Sequence, residues 1–328
     1  MSDSPKAPVG EFELIARHFT RPGRAASSTV ALGVGDDCAL LRVHSGMQLA
    51  VSCDMLVEGR HFLSTVAPER LGHKALAVNL SDLAACGAEP LAFTLALALP
   101  RSDDRFAAGL AQGLFALADA HGIDLIGGDT TAGPLNLCIT VFGQVPPGQA
   151  LLRSGAQVGD ELWVSGLLGD ARLALEVFRG HVHVEGGAFD RVRRAMELPQ
   201  PRVALGLALR GVASSAIDLS DGLVGDLGHV LQRSGVAARV DVDALPRSTD
   251  LASQTRLLQH ECLLAGGDDY ELLFTAPTAR HADVLAAGRQ AGVAVTCCGL
   301  ITAGAGLVIV DSAGRVLDMS VRGFDHFA

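Results

Sequence analysis

IGGDTTAG, residues 126–133, combines two glycines, an aspartate and two threonines at the end of a short apolar segment. Glycines let the backbone approach a ligand closely, and carboxylate and hydroxyl oxygens suit phosphate-bound Mg²⁺. The pattern predicts a short strand over residues 123–128 that opens into a ligand-binding loop. The G-x-x-x-x-G-K-[ST] phosphate loop is absent from the sequence. If the predicted loop binds a nucleotide, metal ions must replace the missing lysine.

Carboxylates recur in a similar context along the chain, each after a small or apolar stretch and near glycine or serine. They are Asp36, Asp37, Asp54, Asp82, Asp129, Asp218, Asp221, Asp268, Asp269 and Glu271. Any one of them could be an ordinary turn or helix-capping residue. Six such segments are harder to explain in this way, because an unpaired charge at the end of an apolar strand is costly. Bound Mg²⁺ would offset that cost. Arg153 is the obvious cationic helper, and a solvated surface arginine is the ordinary alternative.

The composition excludes several classes of protein. Hydrophobic residues make up 49% of the 328 residues and charged residues 19%, which excludes global disorder. A net charge of −10 without a Lys/Arg run argues against a nucleic-acid partner. The seven scattered cysteines form no C-x-x-C pair, which predicts reduced thiols and a cytoplasmic location. The polar first ten residues predict no signal peptide, and no apolar run is long enough for a membrane partner.

Apolar periodicity predicts two α/β (α+β) domains rather than one Rossmann sheet. Helices are expected within residues 10–19, 69–90, 103–122, 169–178, 221–235 and 281–292. Strands are expected at 48–57, 91–100, 135–146, 161–166, 214–218, 238–246 and 293–299, and a hairpin at 306–320. Prolines and glycines near Pro147 suggest a boundary. We therefore expect an N-terminal domain over 1–147, binding ATP and Mg²⁺ and forming a dimer, and a C-terminal domain over 148–328.

Several motifs together resemble thiamine-monophosphate kinases, in the superfamily of aminoimidazole ribonucleotide synthetase. They include GVGDDCALL, NLSDLAACGAEP, IGGDTTAGP, IDLSDGLVGDLGHV, AGGDDYELLFT and GFDHF, and the likeness runs from Gly10 to Phe327. The resemblance implies that ATP phosphorylates thiamine monophosphate to thiamine diphosphate. It also implies a homodimer in which the N-terminal domains form a β-barrel-like core, with a C-terminal α/β domain packed alongside.

The resemblance assigns roles to individual positions. Metal ligands would be Asp37, Ser52, Cys53, Asp54, Asp82, Asp129, Asp218 and Asp221, which together hold several Mg²⁺ ions. Nucleotide contacts would be Gly128, Asp129, Arg153 and Ser220. Substrate contacts would be His61, Asp268 and Phe324, the last stacked on the cationic thiazolium ring.

Two positions depart from the family pattern. Cys53 stands where threonine is usual, and a thiol is a poor Mg²⁺ ligand, so only its main-chain carbonyl would serve. Asp268 stands where glutamate is usual, which shortens the reach of that carboxylate.

The chemistry requires no catalytic side chain. The acceptor phosphate has a second pKa of about 6 and is already an oxyanion near neutral pH, so we expect no general base and no covalent carrier.

Two alternative functions stay open at this point. One is another ATP-dependent member of the superfamily, with a different acceptor. The other is a non-catalytic paralogue that binds a nucleotide or thiamine.

Overall fold

The structure is a computed structural model that describes residues 10–21, 27–35 and 37–317. The chain divides into two compact units, one of residues 1–79 and 90–144 and the other of residues 80–89 and 145–328. The domain boundary expected after Pro147 stays a prediction. GFDHF, with Phe324, lies outside the described residues, and so does Asp36.

Within residues 10–21, 27–35 and 37–145, the structure contains six strands and three helices besides a short π-helix. The helices are α1 (Glu11–Leu14), α2 (Pro68–Ala85) and α3 (Asp104–Ala120), with the π-helix at Ile15–Phe19. The strands are β1 (Val30–Leu32), β2 (Leu40–Leu41), β3 (Gln48–Val57), β4 (Glu89–Leu99), β5 (Asp124–Ala132) and β6 (Asn136–Val145). Strands β1 and β2 pair with each other, and the other four form a sheet in the order β3-β6-β4-β5.

Glycines let α2 and α3 pack backbone against backbone. A Cβ atom at Gly72 would lie 2.0 Å from the carbonyl oxygen of Leu110, and one at Gly113 would lie 1.7 Å from that of Glu69. Both distances are far below van der Waals contact, so these positions accept no side chain. The chain has few aromatic residues, and its helices reach this close approach through glycine.

Strand β5 corrects the expectation of a loop at residues 129–133. The strand runs from Asp124 to Ala132 and pairs in parallel with β4, including Ala96 opposite Asp129. One extra residue, Ile126, falls between the partners of Phe93 and Thr94 and forms a bulge. Gly128 follows it with φ +147°, and a Cβ there would lie 1.8 Å from the Leu95 carbonyl oxygen. Glycines are typical of loops, but here they permit the bulge and the close contact.

The remaining part of the chain forms a larger sheet. Its strands are β7 (Asp160–Ser165), β8 (Ser215–Asp218), β9 (Ala237–Asp241), β10 (Leu272–Pro277), β11 (Val295–Thr302) and β12 (Gly306–Val310). Its helices are α4 (Asp170–Phe178), α5 (Gly186–Glu197), α6 (Val203–Ala208), α7 (Leu223–Ser234), α8 (Thr249–Ala252), α9 (Arg256–Ala265) and α10 (His281–Ala291), with a 3₁₀ turn at Thr278–Arg280. The order is β12-β9-β11-β7-β10-β8. All described pairings are antiparallel except β12 with β9.

An aliphatic core fills one face of this sheet, where buried side chains of α4, α5, α7 and α9 meet those of the strands. On the other face, Trp163 stacks on Phe274 and contacts His281 at the start of α10. Helices on both faces of one sheet confirm the mixed α/β class. The hairpin expected after residue 306 is present as far as Leu317, whose amide donates to the Ile309 carbonyl. The described sheets are open, so the barrel-like dimer core is not confirmed.

The glycine contact between α2 and α3 leads to a stability prediction. Gly113→Ala should lower the free energy of unfolding by about 1–3 kcal/mol, because the added methyl group overpacks the two backbones. Gly228→Ala is the control, since Gly228 lies inside α7 with open space around it. That change should be neutral or stabilise by up to about 1 kcal/mol. Urea denaturation of both variants measures the difference, and equal stabilities would contradict the close packing.

Candidate active site

Strand β3 carries predicted ligands on one face and Cys53 on the other. Strand alternation places Ser52 and Asp54 together on one face. The Cys53 sulfur lies 3.3 Å from the sulfur of Cys138 on β6 and accepts a hydrogen bond from the Thr140 hydroxyl. The thiol is therefore turned away from Ser52 and Asp54. Of Cys53, the main-chain carbonyl is therefore the group that stays a predicted ligand.

His61 is fixed in the turn that follows β3. Its Nδ1 accepts a hydrogen bond from the Val57 amide at 2.9 Å, so a neutral imidazole carries its proton on Nε2. The ammonium of Lys74, a buried lysine on α2, donates to the His61 carbonyl oxygen at 3.1 Å. Asn79, also on α2, accepts a hydrogen bond from the Asp54 amide. Lys74 and Asn79 were not predicted as site residues. Their signal in the sequence is that they are polar residues within the otherwise apolar helix α2.

Two other predicted positions of the first unit, Gly128 and Asp129, lie apart from Asp54 in the sheet. Gly128 and Asp129 are exposed on β5, which is the opposite edge strand from β3. Asp37 is exposed in the segment before β2. The sheet of one chain therefore does not place Asp54 and Asp129 on neighbouring strands.

In the second unit, predicted residues gather around a carboxylate that was not predicted. Asp218 is buried at the end of β8, and Ser220 and Asp221 follow it before α7 begins. The amides of Ser220 and Asp221 both donate to Oδ2 of Asp226, each at 3.1 Å. Burial raises the pKa of the Asp226 carboxyl to about 7, whereas the two amides and the positive charge of Arg153 act in the opposite direction.

The Arg153 segment is attached to the far end of the same helix. Ser234, the last residue of α7, donates to the Arg153 carbonyl oxygen at 3.3 Å. Its hydroxyl oxygen also accepts from the amides of Gly155 and Ala156, each at 3.2 Å. Helix α7 therefore connects two predicted nucleotide contacts, Arg153 and Ser220. Asp226 and Ser234 could not be distinguished from solvent-facing helix residues in the sequence.

The predicted substrate residue Asp268 lies in a strained loop beside this segment. Asp268 and Tyr270 have left-handed φ angles of 67° and 50°. The Asp268 amide donates to the Ser220 carbonyl at 2.9 Å, and the Tyr270 amide donates to the Leu219 carbonyl at 2.8 Å. The Tyr270 hydroxyl donates to the Asp268 carboxylate at 3.0 Å. The loop therefore stores strain next to a predicted nucleotide contact, as functional sites often do.

Two neighbouring carboxylates anchor the same loop. Glu271 is buried, forms an ion pair with Arg202 and accepts a hydrogen bond from Ser165. Asp269 accepts from the Gly169 amide at the start of α4. Burial raises the pKa of the Asp269 carboxyl well above its usual range, and the neighbouring Glu271 adds to the increase. Both groups anchor the loop through these contacts.

The oxygen atoms of the candidate metal ligands suit Mg²⁺ chemically, although these residues do not surround an ion. Asp82 lies on the last turn of α2, and the other candidate ligands offer carboxylate, hydroxyl or carbonyl oxygens. Over residues 10–21, 27–35 and 37–317, no group of three or more His, Cys, Asp or Glu side chains is arranged to hold a metal ion. Mg²⁺ commonly binds through one or two carboxylates, waters and substrate phosphates, and does not need such a cage.

No helix in this described part is long and apolar enough to cross a bilayer.

Comparison with known proteins identifies the class. A family model described as "AIR synthase related protein, N-terminal domain" matches residues 35–145, and the corresponding C-terminal domain model matches residues 157–312. The fold and the two family models thus define a two-domain protein of the AIR synthase-related type.

The relatives narrow this class. A thiamine-monophosphate kinase of Salmonella typhimurium is 46% identical over 325 residues, which cover 97% of this chain and 98% of the relative. The crystal structure of thiamine-monophosphate kinase from Stenotrophomonas maltophilia K279a matches with a TM-score of 0.83 and 44% identity, covering 89% of this chain and 93% of that one. AaThiL complexed with AMPPCP and TMP matches with a TM-score of 0.76 and 28% identity, covering 87% and 89%.

The chain belongs to the thiamine-monophosphate kinase family. It is an enzyme, a phosphotransferase whose acceptor is a phosphate group. The likeness predicted from the sequence motifs is confirmed over almost the whole chain.

The raised pKa of Asp269 predicts how stability changes with pH. The folded protein keeps this proton to a higher pH than the unfolded chain, whose aspartates titrate near about 3.9. Stability therefore falls as pH rises from that value through the folded pKa. Asp269→Asn keeps an acceptor for the Gly169 amide and removes the titration. The variant should gain stability over the wild type between pH 5 and 8, as measured by urea denaturation.

Asp311→Asn is the matched control for this experiment. Arg315 lowers the pKa of the Asp311 carboxyl, so that carboxylate stabilises the fold at every pH above the unfolded value. The wild-type advantage over Asp311→Asn should stay constant between pH 5 and 8. An Asp269→Asn profile parallel to the wild-type profile would disprove the assignment.

Proposed function

We propose that this chain transfers the γ-phosphoryl group of ATP directly and in line to the phosphate of thiamine monophosphate, with several Mg²⁺ ions assisting. The observation that carries the proposal is the convergence around Asp226. The amides of Ser220 and Asp221 bind its carboxylate, and Ser234 at the other end of α7 holds the Arg153 carbonyl, so one helix anchors two predicted nucleotide contacts and one predicted metal ligand. The complex of AaThiL with AMPPCP and TMP supports the pair of substrates.

The main obstacle to the reaction is electrostatic repulsion. A phosphate dianion must approach the polyphosphate of ATP, and two like charges 4 Å apart repel by about 4 kcal/mol at an effective dielectric of 20. Bound Mg²⁺ supplies the positive charge that offsets this repulsion. The chain's own contribution is to hold the ions and align the reactants. Asp37, Asp54, Asp82, Asp129, Asp218 and Asp221 would hold the ions, with Ser52 and the Cys53 carbonyl.

Other residues would orient the two substrates. Arg153 and Ser220 would bind the nucleotide together with Gly128 and Asp129. His61 would donate its Nε2 proton to a substrate oxygen, because its Nδ1 is occupied by the Val57 amide. Asp268 would contact the thiamine end, and Phe324 would stack on the thiazolium ring. No general base is needed, because the acceptor oxygen is already ionised near neutral pH.

The enzyme would work as a homodimer in the cytoplasm. Strand β3 exposes an apolar stripe, since Leu49, Val51 and Met55 on one face are 50%, 55% and 53% exposed. A stripe of this kind on an open sheet marks an interaction surface. A second copy that closes the sheet into a barrel would cover it. The cytoplasmic location agrees with the use of ATP and with the free cysteines.

Product analysis tests the reaction. The purified chain with ATP, Mg²⁺ and thiamine monophosphate should form equal amounts of ADP and thiamine diphosphate, and EDTA should stop the reaction.

Asp54→Asn or Asp129→Asn should lower kcat by about 10²–10³-fold, because each removes a charge that stabilises the transferring group. Asp283→Asn, an exposed carboxylate on α10, is the control and should keep full activity. Near-normal turnover of either site variant would refute its metal assignment.

The dimer has a separate test. Val51→Asp would bury a charge in the proposed interface and should weaken association about tenfold or more. Size-exclusion chromatography with light scattering at several concentrations measures this. Leu257→Asp on α9 places a charge at a residue that is 67% exposed in the other unit, and should leave association unchanged. A monomeric wild type, or a Val51→Asp variant that dimerises normally, would count against the proposed interface.

A further inference from the structure

We propose that Tyr270 is a positioning residue for the acceptor substrate, because its hydroxyl fixes the orientation of the Asp268 carboxylate. The inference rests on the proposed function, since Asp268 has its substrate role only there. Tyr270 itself would not touch the substrate. It would act through one hydrogen bond, which its hydroxyl donates to Oδ1 of Asp268 at 3.0 Å.

The first argument concerns the backbone that carries both side chains. The Asp268 amide donates to the Ser220 carbonyl at 2.9 Å, and the Tyr270 amide donates to the Leu219 carbonyl at 2.8 Å. A Cβ at Gly267 would lie 2.5 Å from the Ser220 carbonyl oxygen, so the main chains approach closely just before Asp268. These contacts hold the loop backbone without the Tyr270 hydroxyl. The hydroxyl is therefore not needed to place the loop.

The second argument concerns the freedom of the Asp268 side chain. The last torsion of an aspartate has a broad, roughly two-fold preference, so a fixed backbone does not by itself orient the two carboxylate oxygens. Asp268 is half-buried, and its carboxylate is within reach of a ligand. The Tyr270 residue is buried, with 8% of its surface exposed, so its ring holds the hydroxyl at a fixed point. A donor at a fixed point selects one orientation of the carboxylate.

The third argument is that tyrosine is a costly choice at this position. A left-handed φ of 50° is a genuine outlier for a bulky residue. Strain of this kind persists where the surrounding structure imposes it, and it is concentrated at ligand-binding positions. A buried phenol also requires a hydrogen-bond partner, which phenylalanine would not. The partner here is the predicted substrate carboxylate, so the hydroxyl has a use that the ring alone does not provide.

Tyr270→Phe removes the hydroxyl and keeps the ring. The KM for thiamine monophosphate should rise about tenfold, because a hydrogen bond to a charged group is lost where the substrate binds. The KM for ATP and kcat should change little, since the lost interaction acts on binding of the acceptor alone. The thermal midpoint should stay close to that of the wild type. A merely structural role would lower the midpoint and would not distinguish the two substrates.

Ser248→Ala is the matched control. The Ser248 hydroxyl donates to Oδ1 of Asp170 at 2.6 Å, which is another hydroxyl–carboxylate hydrogen bond in the same unit. The same hydroxyl caps helix α8 by accepting the Leu251 amide. No ligand role is proposed for Asp170. The variant should therefore lose thermal stability and keep both KM values.

Two further measurements test whether the effect passes through Asp268. In an Asp268→Ala background, Tyr270→Phe should cause no additional rise in the KM for thiamine monophosphate, because its partner is already absent. Tyr270 is also the single tyrosine of the sequence, so tyrosine labelled with ¹³C at Cζ gives one NMR signal. Thiamine monophosphate should shift this signal in the wild type, whereas AMPPCP alone should leave it in place.

The outcomes decide between the possibilities. A selective rise in the KM for thiamine monophosphate that adds nothing to Asp268→Ala supports the inference. A wild-type KM in Tyr270→Phe, a parallel rise for both substrates with a lower thermal midpoint, or additive effects of the two variants would overturn it. If Tyr270→Phe does not fold, the wild-type NMR signal decides, and a signal that thiamine monophosphate leaves unmoved counts against the inference.

Failure of the proposed function can be told apart from failure of the inference. Titration calorimetry measures the binding of thiamine monophosphate without turnover. A wild type that binds it and forms no thiamine diphosphate would refute the proposed reaction, and the affinities of the same variants would then replace their KM values. A wild type that does not bind thiamine monophosphate would overturn both.

Discussion

Backbone amides, rather than basic side chains, hold two important carboxylates in the second unit, and the proposed site depends on this choice. Asp226 accepts the amides of Ser220 and Asp221, and Asp269 accepts that of Gly169. Amides supply no full positive charge, so burial raises the pKa of both carboxyls, that of Asp226 to about 7 and that of Asp269 well above its usual range. Glu271 shows the alternative, because its ion pair with Arg202 cancels its charge and leaves it a purely structural role.

Glycine provides the second constraint, because the elements that carry these groups approach one another through their backbones. Gly113 brings α3 against α2, and Gly128 brings β5 against β4. Gly267 plays the same part beside the nucleotide segment, since a Cβ there would lie 2.5 Å from the Ser220 carbonyl oxygen. These contacts fix main-chain atoms rather than side-chain rotamers. A protein with an aliphatic core and few aromatic residues can hold its site rigidly in this way.

Periodicity and terminal glycines are local signals, and they predicted many of the elements but provided no expectation for α5, α9 or β10. Strand β3 matched the expected range in all ten residues, and α3 ended at Ala120, two residues before the expected closing glycine, Gly122. The expectation failed at β5, where glycines that are typical of a loop instead permit a bulge within a strand. Asp226 was missed for another reason. Its role depends on which amides the preceding turn presents to it, and no spacing rule in one sequence reveals that.

The two departures from the family pattern now have different physical meanings. The Cys53 side chain points away from the predicted ligands and toward Cys138, so the exchange of threonine for cysteine alters the surface shared with the apolar stripe and not the ligand set. Asp268 has a φ of 67°, a left-handed conformation that aspartate adopts more readily than most non-glycine residues. Its shorter side chain still accepts the Tyr270 hydroxyl. The substitution therefore relieves backbone strain while it shortens the carboxylate's reach toward the substrate, and the two effects act on the same strained loop.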